Sequence, residues 1–314
     1  MKRHILLWLL VCGFAPAVWA HQHTAPQVVV SIKPIHSLVA AVLEGVGEPQ
    51  LLIKGAGSPH GYSLRPSEAQ MLAKADLVIW VGEGLETFLV RPLANLGSNA
   101  LQLELAHHLE SKMLPIREGG AWEGHGHDAH GHDKHSHHAH DDHDELDHHL
   151  WTSPVLAKDI VRLIAEKLAT VDPANAALYA ANAASLTTRL DQLFHEVKEQ
   201  LQPVGNVPYI VFHDAYQYFE RDFGLSAVGS VTIDTERSPG VRRVQEVRSK
   251  IGELQVRAVF SEPQFQSRIV ATVIEGSGAK AGVLDPLGVD LSEGPEAYFL
   301  LIRGMGASIL ATLQ

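Results

Sequence analysis

The chain has 314 residues, 46% of them hydrophobic, and a formal net charge of −11 at neutral pH. That length suits two domains or one large one. The acidic balance argues against a nucleic-acid partner, because phosphate binding draws on clustered Lys and Arg.

Residues 1–20 read as a secretory signal. Lys2 and Arg3 form the charged start, Ile5–Val11 an apolar core too short to span a bilayer, and Val18-Trp19-Ala20 the cleavage end, with the cut after about Ala20. Cys12, the one cysteine, lies inside this signal, so an exported chain without disulfides is expected. His21-Gln22-His23 would then form a loose tail with a possible amino-terminal copper or nickel chelate.

From Gln27 short apolar runs alternate with helical patterns. Val28–Ile32, Leu51–Lys54, Asp76–Val81 and Leu101–Leu103 read as strands; Pro34–Val46, a capping box from Ser67 to Gln70 leading to Ala75, and Glu86–Leu96 read as helices. After a histidine tract, Ser153 as N-cap and Pro154 at the first helical position open a helix to about Thr170. Residues 174–202 contain neither Gly nor Pro, and Tyr179, Ala183, Leu186, Leu190, Leu193, Val197 and Leu201 recur at helical spacing. This predicts one helix of roughly 45 Å at 1.5 Å per residue, acting as a rigid strut. Strand and helix then alternate again: Tyr209–Phe212, a helix to Phe223, Ser226–Val231, Val241–Leu254, Arg257–Ser261, a helix to Glu275, Lys280–Leu284, and a last helix over Pro295–Leu313. The fold class expected is α/β: two parallel-sheet lobes, 27–171 and 204–314, joined by a long helix over 172–203, with a metal site in the cleft between them.

Residues 119–148 form a loop too polar to bury a core, and it is read as disordered. His125, His127, His130, His132, His135, His137, His138, His140, His143 and His148 lie among Asp, Glu and Gly, a metal-binding composition that suggests auxiliary weak sites. His149 ends this run where the next helix begins, at a position able to hold a ligand rigidly.

In open parallel sheets ligands bind beyond the carboxyl ends of the strands. The polar residues there are His60, His213 with Asp214, Glu262 and Asp285, and His149 stands at a helix start. Three imidazoles with a carboxylate or water suit tetrahedral Zn²⁺. Asp214 and Glu262 are the candidates to hold histidine tautomers through the second ring nitrogen.

SPHGYSLRPSEAQML, HHLWTSP, VFHDAYQYFERDFG, FSEPQF and LDPLG together resemble the zinc-uptake periplasmic solute-binding proteins of ABC importers, the ZnuA type, in order and spacing. The resemblance implies two α/β lobes joined by a long helix and zinc in the cleft, ligated by His60, His149 and His213, with Asp285 offered as a fourth ligand. It implies a monomeric protein of the periplasm that captures Zn²⁺ for a membrane permease driven by a cytoplasmic ATPase, not an enzyme. The His-rich loop would collect or sense zinc. Two features depart from the family: Pro59 stands where some members place Glu, and the second lobe has no cysteine pair. A manganese- or iron-binding member of the same superfamily is one alternative, although a third imidazole at His213 favours zinc over the harder ion. A zinc-dependent hydrolase is the other, but the sequence has no His-Glu-x-x-His helix.

Overall fold

The computed structural model describes residues 24–95, 100–117, 122, 146–233, 235, 237–265 and 268–314. The expected signal, the His21-Gln22-His23 tail and nearly all of the tract lie outside them. The first lobe runs β1 (Val28–Val30), α1 (Lys33–Val42), β2 (Gln50–Leu51), α2 (Pro66–Ala73), β3 (Leu77–Trp80), α3 (Thr87–Asn95), β4 (Leu101–Glu104) and α4 (Leu105–Leu109). Its four strands are parallel in the order β2-β1-β3-β4. Every residue of β1 and β3 is buried, as expected of apolar runs with helices over both sheet faces.

Two local readings need correction. The helix start is not at Ser67: Pro66 holds the first position, and Glu68 Oε2 accepts from the Arg65 backbone N–H at 2.8 Å. Proline's fixed φ sets the start there. The five-residue α4 was not expected, because it is too short for a helical period to register.

After α5 (Pro154–Val171) comes α6 (Ala176–Leu201), 26 residues long and so about 39 Å at 1.5 Å per residue. It is shorter than expected because Pro173 and Pro203 lie in 3-10 turns that take over both ends. All seven residues of its predicted apolar face are buried. Each fully buried Leu contributes roughly 1.5–3 kcal/mol. The helix is not a bare strut. It lies along α5 and also meets α1 and the final helix α10 (Ala297–Leu313).

The second lobe repeats the first: β5 (Tyr209–Val211), α7 (Gln217–Phe223), β6 (Ala227–Ser230), α8 (Val241–Glu253), β7 (Ala258–Ser261), α9 (Arg268–Ile274) and β8 (Lys280–Val283), with parallel order β6-β5-β7-β8. One apolar core runs from Val28 to Leu313 through both lobes, while Ile210, Phe212, Val247, Ile251 and Val259 belong to a separate core within the second. Polar ties also cross the seam. Lys33 Nζ donates to the carbonyls of Gly288, Val289 and Leu291 at 2.5–2.8 Å, Trp151 Nε1 donates to Pro286 O at 2.7 Å, and the Tyr298 backbone N–H donates to Ser37 Oγ at 2.9 Å. The carboxyl ends of both sheets therefore meet across a fixed seam.

Candidate metal centre

Three histidines from three separate segments converge at this seam. His60 follows β2 on a loop anchored by Glu68, whose Oε1 accepts from Tyr62 Oη at 2.8 Å while its Oε2 caps α2. His149 precedes a 3-10 turn, Leu150–Thr152, that feeds α5; its carbonyl accepts from the Thr152 N–H and hydroxyl at 3.2 and 2.9 Å. The helix behind it is capped as expected, with Ser153 Oγ accepting from the Leu156 N–H at 2.9 Å. His213 lies two residues beyond the end of β5, after Phe212.

The three rings form a near-equilateral triangle, with centroids 5.2, 5.4 and 5.6 Å apart. One ligand atom from each lies within 4.8 Å of the other two. His149 Nδ1 is 2.7 Å from Asp147 Oδ1, and His213 Nδ1 is 2.6 Å from Glu262 Oε1. Carboxylates accept, so each Nδ1 carries a proton, and in the neutral imidazole each Nε2 faces the centre with a lone pair. Those two Nε2 atoms are 3.4 Å apart. Tetrahedral zinc with Zn–N bonds of about 2.0–2.1 Å separates its nitrogens by about 3.3 Å. His60 Nε2 is buried with no hydrogen-bond partner.

Charge follows the same pattern. Burial first, and then the neighbouring imidazoles, hold His60 and His149 well below the usual histidine range, so both are neutral at pH 7. Burial also pulls His213 down, but the charge and hydrogen bond of Glu262 outweigh it and raise this one imidazole. Burial lifts Asp147 to about 6 against the His149 backbone N–H and Arg117, which favour its ionised form.

Of the two carboxylates expected to hold a histidine, Glu262 lies against His213 Nδ1. Asp214 does not: Arg117 Nε donates to its Oδ2 at 2.8 Å, and Arg117 Nη1 reaches Glu220 Oε2 at 2.7 Å. Its carboxylate is spent on a guanidinium shared with the buried Glu220. The role expected of Asp214 falls to Asp147, which looked like one more acid of the tract.

Asp285 is also not brought to the cluster. Its Oδ1 accepts from the N–H groups of Leu287 and Gly288 at 3.1 and 2.9 Å, and its Oδ2 from that of Val289 at 2.6 Å. It caps the turn after β8 instead of facing the imidazoles. His148 is not a loose tract residue: it is buried, its Nδ1 lies 2.8 Å from Leu146 O, and its ring rests on Gly84, where a Cβ would come within 2.2 Å of it. His125, His127, His130, His132, His135, His137, His138, His140 and His143 lie outside the described residues.

Both stems of the tract are fixed. Pro115 and Leu146 form an antiparallel bridge, the Asp147 N–H donates to Leu114 O at 2.8 Å, and Tyr218 Oη on α7 donates to Asp147 O at 2.5 Å. A cleft of about 500 Å³ opens beside the three histidines, with Ile116, Leu146 and Ile233 on its walls.

The family model for zinc-uptake complex component A, periplasmic (ZnuA), matches residues 28–311. The high-affinity zinc uptake system protein ZnuA of Brucella abortus (strain 2308) is 47% identical over 300 residues, covering 90% of each chain. Its namesake from Yersinia pestis is 36% identical over 290 residues, covering 91% of each. A crystal structure of ZnuA superposes with a TM-score of 0.75 at 24% identity, covering 92% of this chain and all of its own. The FpvC protein of Pseudomonas aeruginosa in complex with Mn²⁺ superposes at 0.76 with 22% identity, covering 92% of this chain and 98% of its own. At such identities the structural matches speak for the fold alone. The chain belongs to the zinc-uptake complex component A (ZnuA) family.

Proposed function

We propose that this protein captures Zn²⁺ in the periplasm on His60, His149 and His213 and hands it to the membrane permease of an ABC importer. The observation that carries this reading is the set of inward-facing Nε2 atoms, two of them 3.4 Å apart with both Nδ1 protons held by carboxylates. A site built this way favours zinc over manganese, because imidazole nitrogen suits the softer ion and the triad itself includes no carboxylate. The role is binding rather than catalysis. The chain acts as a monomer, the signal is cut after about Ala20, and the permease works with a cytoplasmic ATPase.

The tract serves as a collector. Its sites must order their own chain on binding, at about 1–2 kcal/mol per residue fixed, so they hold zinc more weakly than the preorganised triad. Because its second stem ends two residues before His149, zinc held there has a raised effective concentration at the cleft. Deleting 123–145 is expected to leave one tight zinc by calorimetry, remove the weaker equivalents, and slow loading at limiting zinc in stopped flow. Loss of the tight zinc on deletion would place a tract histidine in the first coordination shell and contradict the collector role.

A further inference from the structure

A second cavity, of about 10 Å³, adjoins the same three imidazoles and is lined also by Ser58, Glu262, Gln264 and Pro286. That is about the space one water needs. Its lining is mostly apolar, with Trp151, Phe265 and Leu287 beside a few polar groups. Glu262 Oε2 and Gln264 Oε1 are buried there without a hydrogen-bond partner, and His60 Nε2 is in the same condition. Buried acceptors normally meet a donor, so this wall is shaped for one.

The orientation of Gln264 is settled by its neighbour. Gln264 Nε2 lies 3.0 Å from Asp285 Oδ1. Asp285 already accepts three backbone N–H groups, so in this turn it serves as an acceptor. The amide nitrogen must face Asp285, and the carbonyl must face the cavity. Gln264 thus stands between the one carboxylate that family resemblance offers to the metal and the triad itself.

We propose that Gln264 is a specificity-determining residue of the zinc site: its amide keeps Asp285 out of the coordination shell, and its carbonyl, with Glu262 Oε2, orients a water into the fourth position. This rests on the three-histidine reading. A metal-bound water has two protons to donate and a lone pair for the ion, matching two acceptors and one metal. The resulting shell is three imidazoles and a neutral oxygen. If Asp285 entered instead, the added carboxylate would make the shell harder and favour Mn²⁺.

The test uses the full chain as wild type, Gln264→Leu, and Gln264→Leu combined with Asp285→Asn, with folding checked by metal-free thermal melts. Gln264→Ala replaces the Leu variant if that one fails to fold. Zn²⁺ and Mn²⁺ are titrated in competition, and Co²⁺ absorption reads the coordination geometry. Wild type is expected to show the intense bands of four-coordinate Co²⁺. In Gln264→Leu, zinc affinity should fall about tenfold, the size typical of losing a group that orients a metal ligand. Manganese affinity should rise at least tenfold and the Co²⁺ bands should weaken, and the Asp285→Asn change should cancel the manganese gain. A folded variant with unchanged metal preference and unchanged Co²⁺ bands would overturn the proposal, as would a manganese gain that survives Asp285→Asn. A tight zinc that survives His149→Ala in otherwise wild-type protein would instead overturn the three-histidine reading.

Discussion

His60→Ala, His149→Ala and His213→Ala are each expected to weaken zinc binding at least hundredfold, about 2.8 kcal/mol, in chelator-competition titrations. Each removes one of three donors converging from different segments, and no other His, Asp, Glu or Cys among the described residues joins the cluster to replace it. Asp147→Asn and Glu262→Gln should cost less, roughly 10–100-fold, because they loosen the orientation of a ligand that remains present. Asp214→Asn should leave the affinity nearly unchanged, since its carboxylate meets Arg117 and not an imidazole. An unchanged affinity in any one alanine variant would remove that histidine from the ligand set. A loss with Asp214→Asn as large as with Asp147→Asn would contradict the assignment of Asp147.

Among the three imidazoles, the pH dependence should report one proton, carried by one residue. Zinc binds the neutral imidazole, so every proton held by a ligand in the metal-free protein must be displaced. Three histidines with the ordinary pKa of about 6.5 would compete with up to three protons below that pH. The site differs from that expectation. His60 and His149 are held well below the ordinary value by burial and by neighbouring imidazoles, so they have no proton to give up in the neutral range. His213 is raised, because Glu262 outweighs the effect of burial. Its proton, on Nε2, points at His149 Nε2 and occupies the place zinc takes. The sign follows: affinity is complete above the raised pKa of His213 and falls as pH drops through it, by about tenfold per pH unit for one proton. Glu262→Gln should move that fall to lower pH while weakening binding at high pH. Competition titrations between pH 7.5 and 5.5 check this. A flat profile, or a slope of three protons, would contradict it.

The meeting of the three histidines was legible because parallel-sheet topology restricts where a ligand can sit. His60 lies on the loop after β2 and His213 just beyond β5, and His149 precedes a recognisable cap, Ser153-Pro154. The α6 face was legible for a related reason: seven apolar residues at spacings of three and four have one way to be buried together. Asp147 was not. It stands in a run with Asp141, Asp142, Asp144 and Glu145 and carries no sequence signal of its own; the structure sets it next to the bridge between Leu146 and Pro115. Asp214 misled because it adjoins His213, whereas its partner Arg117 is 97 residues away in sequence. Asp285 carried a signal that its strand-end position masked. Asp-Pro-Leu-Gly is turn chemistry, in which the aspartate accepts the backbone N–H groups two to four residues on.

The central claim is that this chain holds one tightly bound Zn²⁺ on three imidazole nitrogens between its lobes. A crystal structure of the zinc-loaded protein, with anomalous scattering collected on both sides of the zinc edge, tests it directly. The expected result is a single strong zinc peak about 2.0–2.1 Å from Nε2 of His60, His149 and His213, with no carboxylate oxygen of Asp285 in the shell. A peak centred on other residues, or a shell in which Asp285 replaces one of the three histidines, would contradict the account.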